Sequence, residues 1–406
     1  RLGIKKIFRS YIICLTEASM DWNGKYSYNF PTLVRFGAGV IQELGIYLKE
    51  CGIKAPLIVT DPGLKELPPF ESVQQVLKDA NLSVSSFCDI HKNPVKSDVQ
   101  KGVDYYRQSK CDAIIGLGGG ASMDVARAIA LWANHPDNDL FDFDDAKGGD
   151  RFVINEIPFF VTVPTTSGTG SEVGRSTVIS DDETHAKKIL FASSLMPRKV
   201  FADPELTYGL PPFVTAATGL DALTHNIEAF VSKGVSPMCD GIALEGIRLV
   251  FDSLTEATLN SDKVARAKMQ MAALMGATAF QKGLGVVHSL AHPLSTVFDM
   301  HHGLANAIML PHGIAYNSST SESRYKRILK YAELPGDSSQ DLVKIIRELN
   351  KKLGIPSSLS KLDLDWSEQN RERLASLALE DVCHQCNPKK VGLSDFKQLY
   401  TRAYES

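Results

Sequence analysis

A buried-strand pattern that runs into three successive glycines and then into a helical pattern, at residues 111–130 (CDAIIGLGGGASMDVARAIA), constrains the fold most. Short apolar runs alternate with amphipathic stretches around it, and residues 55–60 form another buried-strand pattern. Such alternation predicts a parallel sheet covered by helices. Glycine lets the backbone approach a ligand closely, and a helix N-terminus offers free N–H donors. The turn at Gly118, Gly119 and Gly120 therefore predicts a phosphate-binding site.

A second loop supports this interpretation. The glycine order GLGGGAS matches neither GxGxxG nor a P-loop, so the turn alone is also compatible with a simple tight turn. Residues 159–172 (FFVTVPTTSGTGSE) form a strand that breaks into a loop of hydroxyls and glycines. Hydroxyl groups without charge suit the phosphates and riboses of a dinucleotide. Together the two loops indicate a cofactor enzyme.

Histidines are concentrated in residues 283–312, which hold five of the ten in the chain. His288 and His292 are four residues apart, as are Asp221 and His225. This spacing places each pair on one face of a helix, although Pro293 predicts that the helix bends or ends at His292. A single histidine in an apolar helix is usually a hydrogen-bonded core residue. Two spaced pairs instead favour a divalent metal site with a position open for substrate.

Length and composition predict two domains. The chain has 406 residues, more than the roughly 250 that one hydrophobic core usually serves. Near residue 200 the alternation of strand and helix patterns gives way to helical patterns alone. We expect an N-terminal extension or degraded targeting segment over residues 1–19, an α/β domain over 20–200 and an all-helical metal-binding domain over 201–406.

Charge and cysteine usage limit the partners and the compartment. The net charge of -3 gives no reason to expect nucleic acid, and no apolar run approaches the length of a membrane span. Seven scattered cysteines do not resemble a disulfide framework and favour a reducing cytoplasm. Cys383 and Cys386 form a lone CxxC, and we interpret them as ordinary thiols.

Four ordered motifs resemble the iron-containing, group III alcohol dehydrogenases: GGGASMDVAR (118–127), PTTSGTGSE (164–172), GLDALTHNIEAFVS (219–232) and GLGVVHSLAHPL with HHGLANAIMLPH (283–312). The resemblance extends from about Tyr26 to the C-terminus. It implies an N-terminal dinucleotide-binding α/β domain and an all-α C-terminal metal-binding domain, the two-domain plan of dehydroquinate synthase, with the site in the cleft between them.

The resemblance also implies the metal ligands, namely Asp221, His225, His288 and His302. Spacing alone would choose His292 as the fourth ligand, whereas the family pattern places that residue beside the metal and the substrate. The expected metal is Fe²⁺, with Zn²⁺ as the alternative because the ligand set does not discriminate between them.

The cofactor positions implied are Asp61, Asn93, Gly118, Gly119, Gly120, Ala121, Thr165, Thr166, Thr169 and Lys187. Asp61 favours NAD, because a carboxylate can accept from a ribose 2′-hydroxyl but repels a 2′-phosphate. The family usually has Ser-Pro after the three glycines, whereas this chain has Ala121-Ser122, so one hydroxyl contact is expected to be missing.

The activity implied is hydride transfer between a primary alcohol and NAD, with a metal that stabilises the developing alkoxide. His292 is the candidate catalytic residue for the proton. Phe280 and Lys282 are candidate substrate residues. Lys282 is compatible with a solvated surface position or with one that faces the cleft, and in the second case it would favour an ω-hydroxy acid. The alternatives are a zinc enzyme of the glycerol-dehydrogenase or dehydroquinate-synthase type and a non-catalytic nucleotide or metal sensor. The resemblance implies a homodimer or higher homo-oligomer.

Overall fold

The structure is a computed structural model that describes residue 30, residues 32–184 and residues 186–405. The extension predicted over residues 1–19 lies outside these described residues.

The N-terminal half is built on a six-stranded parallel sheet. The strands in chain order are β1 (Leu33–Phe36), β2 (Pro56–Val59), β3 (Ser85–Phe87), β4 (Ala113–Gly118), β5 (Phe159–Pro164), β6 (Ser176–Ser180), β7 (Lys187–Phe191) and β8 (Lys199–Ala202). The sheet order is β1-β8-β5-β4-β2-β3, and β6 and β7 form a separate antiparallel pair. The parallel sheet predicted from the alternating pattern is confirmed.

Helices cover both faces of this sheet, namely α1 (Leu44–Glu50), α2 (Pro68–Asp79), α3 (Lys96–Gln108) and α4 (Gly120–Ala133). Successive strand residues point to opposite faces, and β2 illustrates the consequence. Leu57 and Val59 pack in the core that contains α3 and α4, whereas Ile58 packs in the core that contains α1 and α2. Burial on both faces explains why the strands appear in the sequence as continuous apolar runs.

From residue 212 onward the regular elements among the described residues are helices. They are α5 (Pro212–Val231), α6 (Pro237–Leu259), α7 (Lys263–Ala279), α8 (Val286–Phe298), α9 (His302–Tyr331), α10 (Ser339–Lys352), α11 (Glu368–Glu380) and α12 (Leu393–Glu405), with a few short 3₁₀ turns. All residues from 215 to 231 of α5 are buried, so this helix lies at the centre of the helical half. The boundary predicted near residue 200 stays a prediction. Within the described residues, no helix combines the length and the apolar character needed to cross a bilayer.

The alternative that α8 ends at His292 is wrong, because the helix runs through Pro293 to Phe298. A proline inside a helix costs about 3 kcal/mol through the lost hydrogen bond and a steric clash. Val287, Leu290 and Leu294 of the same helix are fully or almost fully buried, and each such side chain contributes roughly 1.5–3 kcal/mol. Burial of the apolar face therefore outweighs the cost of the proline.

Candidate metal centre and cofactor cleft

Three helices bring the predicted metal ligands together. Asp221 and His225 lie one turn apart on α5, His288 lies in the first turn of α8, and His302 is the first residue of α9. One ligand atom from each of the four residues lies within 4.8 Å of the others. His292 does not belong to this group, so the geometry corresponds to the family pattern and not to the choice made from spacing.

The donor atoms converge on a buried point. The Nε2 atom of His302 lies 3.5 Å from Oδ1 of Asp221, and Nδ1 of His225 lies 3.9 Å from the same oxygen. Asn306, which the sequence analysis missed, donates from Nδ2 to Oδ1 of Asp221 at 2.6 Å. The same amide nitrogen lies 3.1 Å from Nε2 of His302 and 3.4 Å from Nε2 of His288. Asn306 therefore orients the acidic ligand beside the imidazoles.

The four residues fit a divalent cation. Nδ1 of His225 is buried and has no hydrogen-bond partner among the described residues. Burial lowers the pKa of His225 to about 4, and burial together with neighbouring imidazoles holds the pKa of His302 well below its usual value. These two imidazoles are therefore neutral at physiological pH, which is the form that binds metal. One carboxylate and three imidazoles suit Fe²⁺ or Zn²⁺.

Glu228 holds His288 in the required orientation. The Nδ1–H group of His288 donates to Oε2 of Glu228 at 2.6 Å, and the backbone N–H groups of Val287 and His288 donate to the same carboxylate at 2.7 and 3.3 Å. Although burial lowers the pKa of His288, the hydrogen bond and charge of Glu228 raise it above its usual value. With Nδ1 protonated, Nε2 presents its lone pair to the cluster. The i, i+4, i+7 spacing of Asp221, His225 and Glu228 could have revealed this residue.

His292 points to a different carboxylate. Its Nδ1 atom lies 2.7 Å from Oδ2 of Asp381, and its ring stacks on that of His302 with 5.2 Å between centroids. His292 lines a second cavity of about 470 Å³ between the two halves of the chain, together with Lys187 and Asp381. Local spacing carried no signal for Asp381, because it lies 89 residues away in the chain.

One cavity of about 500 Å³ connects the predicted cofactor positions with the metal cluster. Asp61 and Gly119 line one end of it, and Asp221 and His302 line the other. Its wall also includes Gly120, Ala121, Ser122, Thr166, Thr169, Asn93 and Asp299. The parallel sheet explains this arrangement, since ligands of such sheets bind at the carboxyl ends of the strands.

The glycine turn forms a narrow cradle at the start of α4. Gly118 has φ +140, where other residues are strained, and a Cβ there would lie 2.5 Å from Oγ of Ser122. The amide of Thr165 donates to the carbonyl of Gly118 at 3.0 Å, which ties the two predicted loops together. The free N–H groups of the helix N-terminus and the hydroxyls of the second loop thus border the same space.

The remaining predicted cofactor residues lie around this cleft. Oδ1 of Asp61 accepts from the backbone N–H of Leu64 at 2.9 Å, and Ser122 Oγ approaches Oδ2 at 3.4 Å. Asn93 donates to Asp299 at 2.6 Å across the cleft. Lys187 lines two cavities, one of which also contains His292. Burial lowers the pKa of Lys187, although the charges of Asp381 and Asp124 act to raise it.

Of the two predicted substrate residues, only Phe280 lies beside the cluster, with its ring centroid 5.2 Å from that of His225. Lys282 neither faces the cleft nor lies on the surface, so both alternatives for it are wrong. Its ammonium group lies 2.6 Å from Oδ1 of Asp240 and donates to the carbonyl of Phe230 at 2.7 Å. Arg324 donates to the other oxygen of Asp240. A buried lysine needs a partner, and Lys282 has it within the helical half.

Comparison with known proteins matches both halves of the chain to one family. Residues 31–204 match the family model described as iron-containing alcohol dehydrogenase, and residues 215–404 match the C-terminal model of the Fe-containing alcohol dehydrogenase family. The synthase-like and sensor alternatives are not favoured by these matches.

Individual relatives agree over nearly the full length. A 4-hydroxybutyrate dehydrogenase from Cupriavidus necator is 35% identical and covers 91% of this chain and 97% of its own. An NADPH-dependent butanol dehydrogenase from Clostridium saccharobutylicum is also 35% identical, with coverages of 93% and 97%. The crystal structure of a 1,3-propanediol oxidoreductase superimposes with a TM-score of 0.89 at 33% identity and covers 94% of this chain and 100% of its own. The chain therefore belongs to the iron-containing alcohol dehydrogenase family.

Proposed function

We propose that this alcohol dehydrogenase transfers a hydride between a primary alcohol and NAD, at a divalent metal held by Asp221, His225, His288 and His302. The observation that carries the proposal is the single cavity of about 500 Å³ that is lined by the glycine turn at one end and by Asp221 and His302 at the other. Cofactor and metal can therefore lie in one continuous space.

The metal site combines one buried carboxylate with three imidazoles, all within 4.8 Å. A cation bound there supplies Lewis acidity that lowers the proton affinity of an alcohol oxygen, and bound NAD supplies the hydride acceptor. Asn306 and Glu228 orient Asp221 and His288 and so maintain the open arrangement. We propose Fe²⁺ as the metal on the basis of the family, with Zn²⁺ as the alternative.

NAD is the proposed cofactor because of Asp61. Strand β2 ends at Val59, and Asp61 lies two residues further on, where it lines the cavity. A carboxylate there accepts from a ribose 2′-hydroxyl and repels a 2′-phosphate. The butanol dehydrogenase relative is named for NADPH, so the preference of this chain depends on its own residues. Thr166, Thr169 and the N-terminus of α4 are the proposed contacts for the phosphates, and Thr165 and Lys187 are further proposed cofactor residues.

His292 is the proposed proton acceptor. It lies next to the cluster without belonging to it, and 23% of its side chain is exposed to the cavity. The alcohol oxygen must lose its proton as the carbinol carbon loses hydride, and a histidine is suited to accept that proton near neutral pH, directly or through a water molecule.

The substrate proposed is a primary alcohol, with Phe280 bordering its pocket beside His225. The relative from Cupriavidus necator is named for 4-hydroxybutyrate, so an ω-hydroxy acid remains part of the proposal. Lys282 cannot serve its carboxylate in this arrangement, because Asp240 already neutralises the ammonium group. A hydroxy-acid substrate would need another cation, and Lys187 borders the cavity that contains His292.

We also propose a homodimer or higher homo-oligomer in a reducing cytoplasm. Support for the compartment comes from the six described cysteines, which are all unpaired, and cell fractionation would check it. Support for self-association comes from the exposed apolar residue Leu33 on the edge strand β1.

The experiment is anaerobic purification followed by elemental analysis and an NADH absorbance assay. Alcohols and ω-hydroxy acids, including 1-butanol and 4-hydroxybutyrate, are tested with Fe²⁺ or Zn²⁺ added back. We expect about one metal per chain and metal-dependent NADH formation. The His288→Ala variant should bind the metal more than about 100-fold more weakly, because removal of a ligand should cost more than removal of a residue that only orients one. It should also lose turnover.

Two results would contradict the proposal. Wild-type protein that is full of metal but reduces no NAD with any alcohol would indicate a sensor or a synthase-like enzyme. Undiminished metal binding by His288→Ala would show that the ligand assignment is wrong.

A further inference from the structure

Asp381 is a largely buried carboxylate, with 14% of its side chain exposed, that the family resemblance did not assign. It follows the last residue of α11, and its two oxygens are both used. Oδ2 lies 2.7 Å from Nδ1 of His292, while Oδ1 accepts from Oγ of Ser289 at 2.6 Å and from the backbone N–H of Cys383 at 2.9 Å. Burying a carboxylate is costly unless its oxygens are satisfied, and these contacts satisfy it.

The position of this carboxylate is fixed from both sides. Ser289 lies on α8, one turn before His292, and its Oγ also accepts from the backbone N–H of His384 at 2.8 Å. Asp381 thus contacts α8 at two points three residues apart and contacts its own segment at Cys383. A carboxylate anchored in this way gives the His292 ring a single orientation, because the ring can meet Oδ2 only through Nδ1.

The chemical consequence concerns the proton on His292. Burial raises the pKa of Asp381, but the neighbouring imidazole and the hydrogen bonds from Ser289 and Cys383 lower it more, to well below its usual range. An ionised carboxylate only accepts hydrogen bonds, so Nδ1 of His292 must carry a hydrogen. In neutral His292, Nε2 is then the atom with the free lone pair. Asp381 selects the tautomer that can accept a proton on the side away from itself.

We propose that Asp381 is a positioning residue for His292: it holds the imidazole in the Nδ1–H tautomer with Nε2 available to the reacting alcohol. The inference deepens the proposed function and rests on it for the role of His292. The arrangement follows the general logic by which a buried aspartate orients a catalytic histidine, although here the partner is a metal-assisted dehydrogenation. Asp381 does not belong to the cluster of Asp221, His225, His288 and His302.

A purely structural role is the competing explanation, since Asp381 also ties the 381–386 segment to α8. A double-mutant cycle separates the two roles. Asp381→Asn, His292→Ala and the combined variant are compared for kcat, KM, metal content and melting temperature. Asparagine keeps the shape and one acceptor oxygen but permits its amide to donate to Nδ1, which favours the opposite tautomer.

We expect Asp381→Asn to lower kcat by about 10²- to 10⁴-fold, the range of general acid–base catalysis, with KM changed less than about threefold. Metal content should stay near one per chain. In the His292→Ala background the same substitution should lower kcat less than about twofold further, since no imidazole remains to position. Ser289→Ala removes one anchor but keeps the His292–Asp381 pair, so it should lower kcat less than Asp381→Asn does.

The inference would be overturned if Asp381→Asn lowered kcat by the same factor in the wild type and in the His292→Ala variant. It would also be overturned if Asp381→Asn and Ser289→Ala lowered kcat equally and in proportion to their loss of melting temperature. Loss of a second equivalent of metal in Asp381→Asn would also overturn it, because His292, Asp381 and Cys383 would then form a metal site.

A readout that does not depend on turnover separates this inference from the proposed function. Nitrogen-15 NMR of histidine-labelled, zinc-loaded protein reports the tautomer of each ring, and His292→Ala assigns the signal. We expect the Nδ1–H form for His292 in the wild type and a shift toward the Nε2–H form in Asp381→Asn. A wild-type His292 in the Nε2–H form would overturn the inference even if the protein oxidises alcohols, whereas absence of turnover with the expected tautomer would count against the function alone.

Discussion

Asp61 is the side chain that we propose sets the cofactor preference. Its carboxylate lines the cavity near Gly119, and its Oδ1 caps the following turn by accepting from the N–H of Leu64. A test of the cofactor preference must therefore preserve the hydrogen bond from Leu64. Asparagine retains an acceptor oxygen for Leu64 and removes the charge, whereas glutamate retains the charge.

We predict that Asp61→Asn raises kcat/KM for NADP by about 10- to 100-fold relative to NAD, because repulsion between like charges costs a few kcal/mol. Asp61→Glu should still discriminate against NADP. Steady-state kinetics with both cofactors and one alcohol measure the ratio. An unchanged ratio in Asp61→Asn would assign the preference to other residues of the cleft.

The residue scale also shows what sequence could and could not predict about the site. Spacing found Asp221, His225 and His288, because i and i+4 share a face of one helix. Spacing chose His292 as the fourth ligand and not the proposed His302, because local spacing carries no information about where α9 begins relative to α5. Lys282 looked available in the sequence because its partner, Asp240, lies 42 residues away. Contacts between distant segments have no signature in local spacing.

At the scale of the elements, the metal cluster depends on close packing between α5 and α9. Gly303 follows the proposed ligand His302, and a Cβ at this position would lie 2.3 Å from the backbone carbonyl oxygen of Ala217. Backbone atoms cannot rotate away as a side chain can. The absence of a side chain at Gly303 therefore allows His302 to approach Asp221.

We predict that Gly303→Ala pushes the two helices apart, lowers the free energy of unfolding by about 1–3 kcal/mol and weakens metal binding by about 10- to 100-fold. Chemical denaturation and metal titration measure the two effects. The matched control is Gly241→Ala in the exposed part of α6, where a Cβ would meet nothing within 4 Å. There we expect a stabilisation of about 0.5–1 kcal/mol and unchanged metal affinity. Metal binding by Gly303→Ala at the wild-type level would contradict the packing argument.

The elements themselves were largely predictable. The strand before the three glycines and the helix after them lie where the pattern places them, as β4 and α4. The end of α8 was not predictable from Pro293 alone, because the burial of its neighbours Leu290 and Leu294 decides the outcome. A local rule fails where tertiary burial contributes more free energy than the local cost.

At the scale of the molecule, the sequence predicted a parallel sheet followed by helices, and this order is confirmed. It did not predict that β8 returns to lie between β1 and β5. The order of strands depends on connections that local patterns do not encode. The same return of the chain leaves β1 at one edge of the sheet.

This edge exposes an apolar side chain. Among the described residues, β1 pairs only with β8, while its first residue, Leu33, is 61% exposed. An open edge strand can pair with another chain, and soluble proteins usually protect such edges with charge or cover. Pairing of two copies of the chain along β1 would cover the open edge of both. We therefore attribute the proposed homo-oligomer to the β1 edge.

We predict that light scattering gives a mass of at least twice 44.4 kDa for the wild type. Leu33→Lys should shift this mass toward that of the monomer, because the lysine charge would be buried in the interface without a partner. Ile154→Lys is the matched control, since Ile154 is 80% exposed on a loop outside β1 and should leave the mass unchanged. The metal ligands all belong to one chain, so the Leu33→Lys monomer should still bind about one metal. A monomeric wild type would contradict self-association, and an oligomeric Leu33→Lys would place the interface elsewhere on the surface.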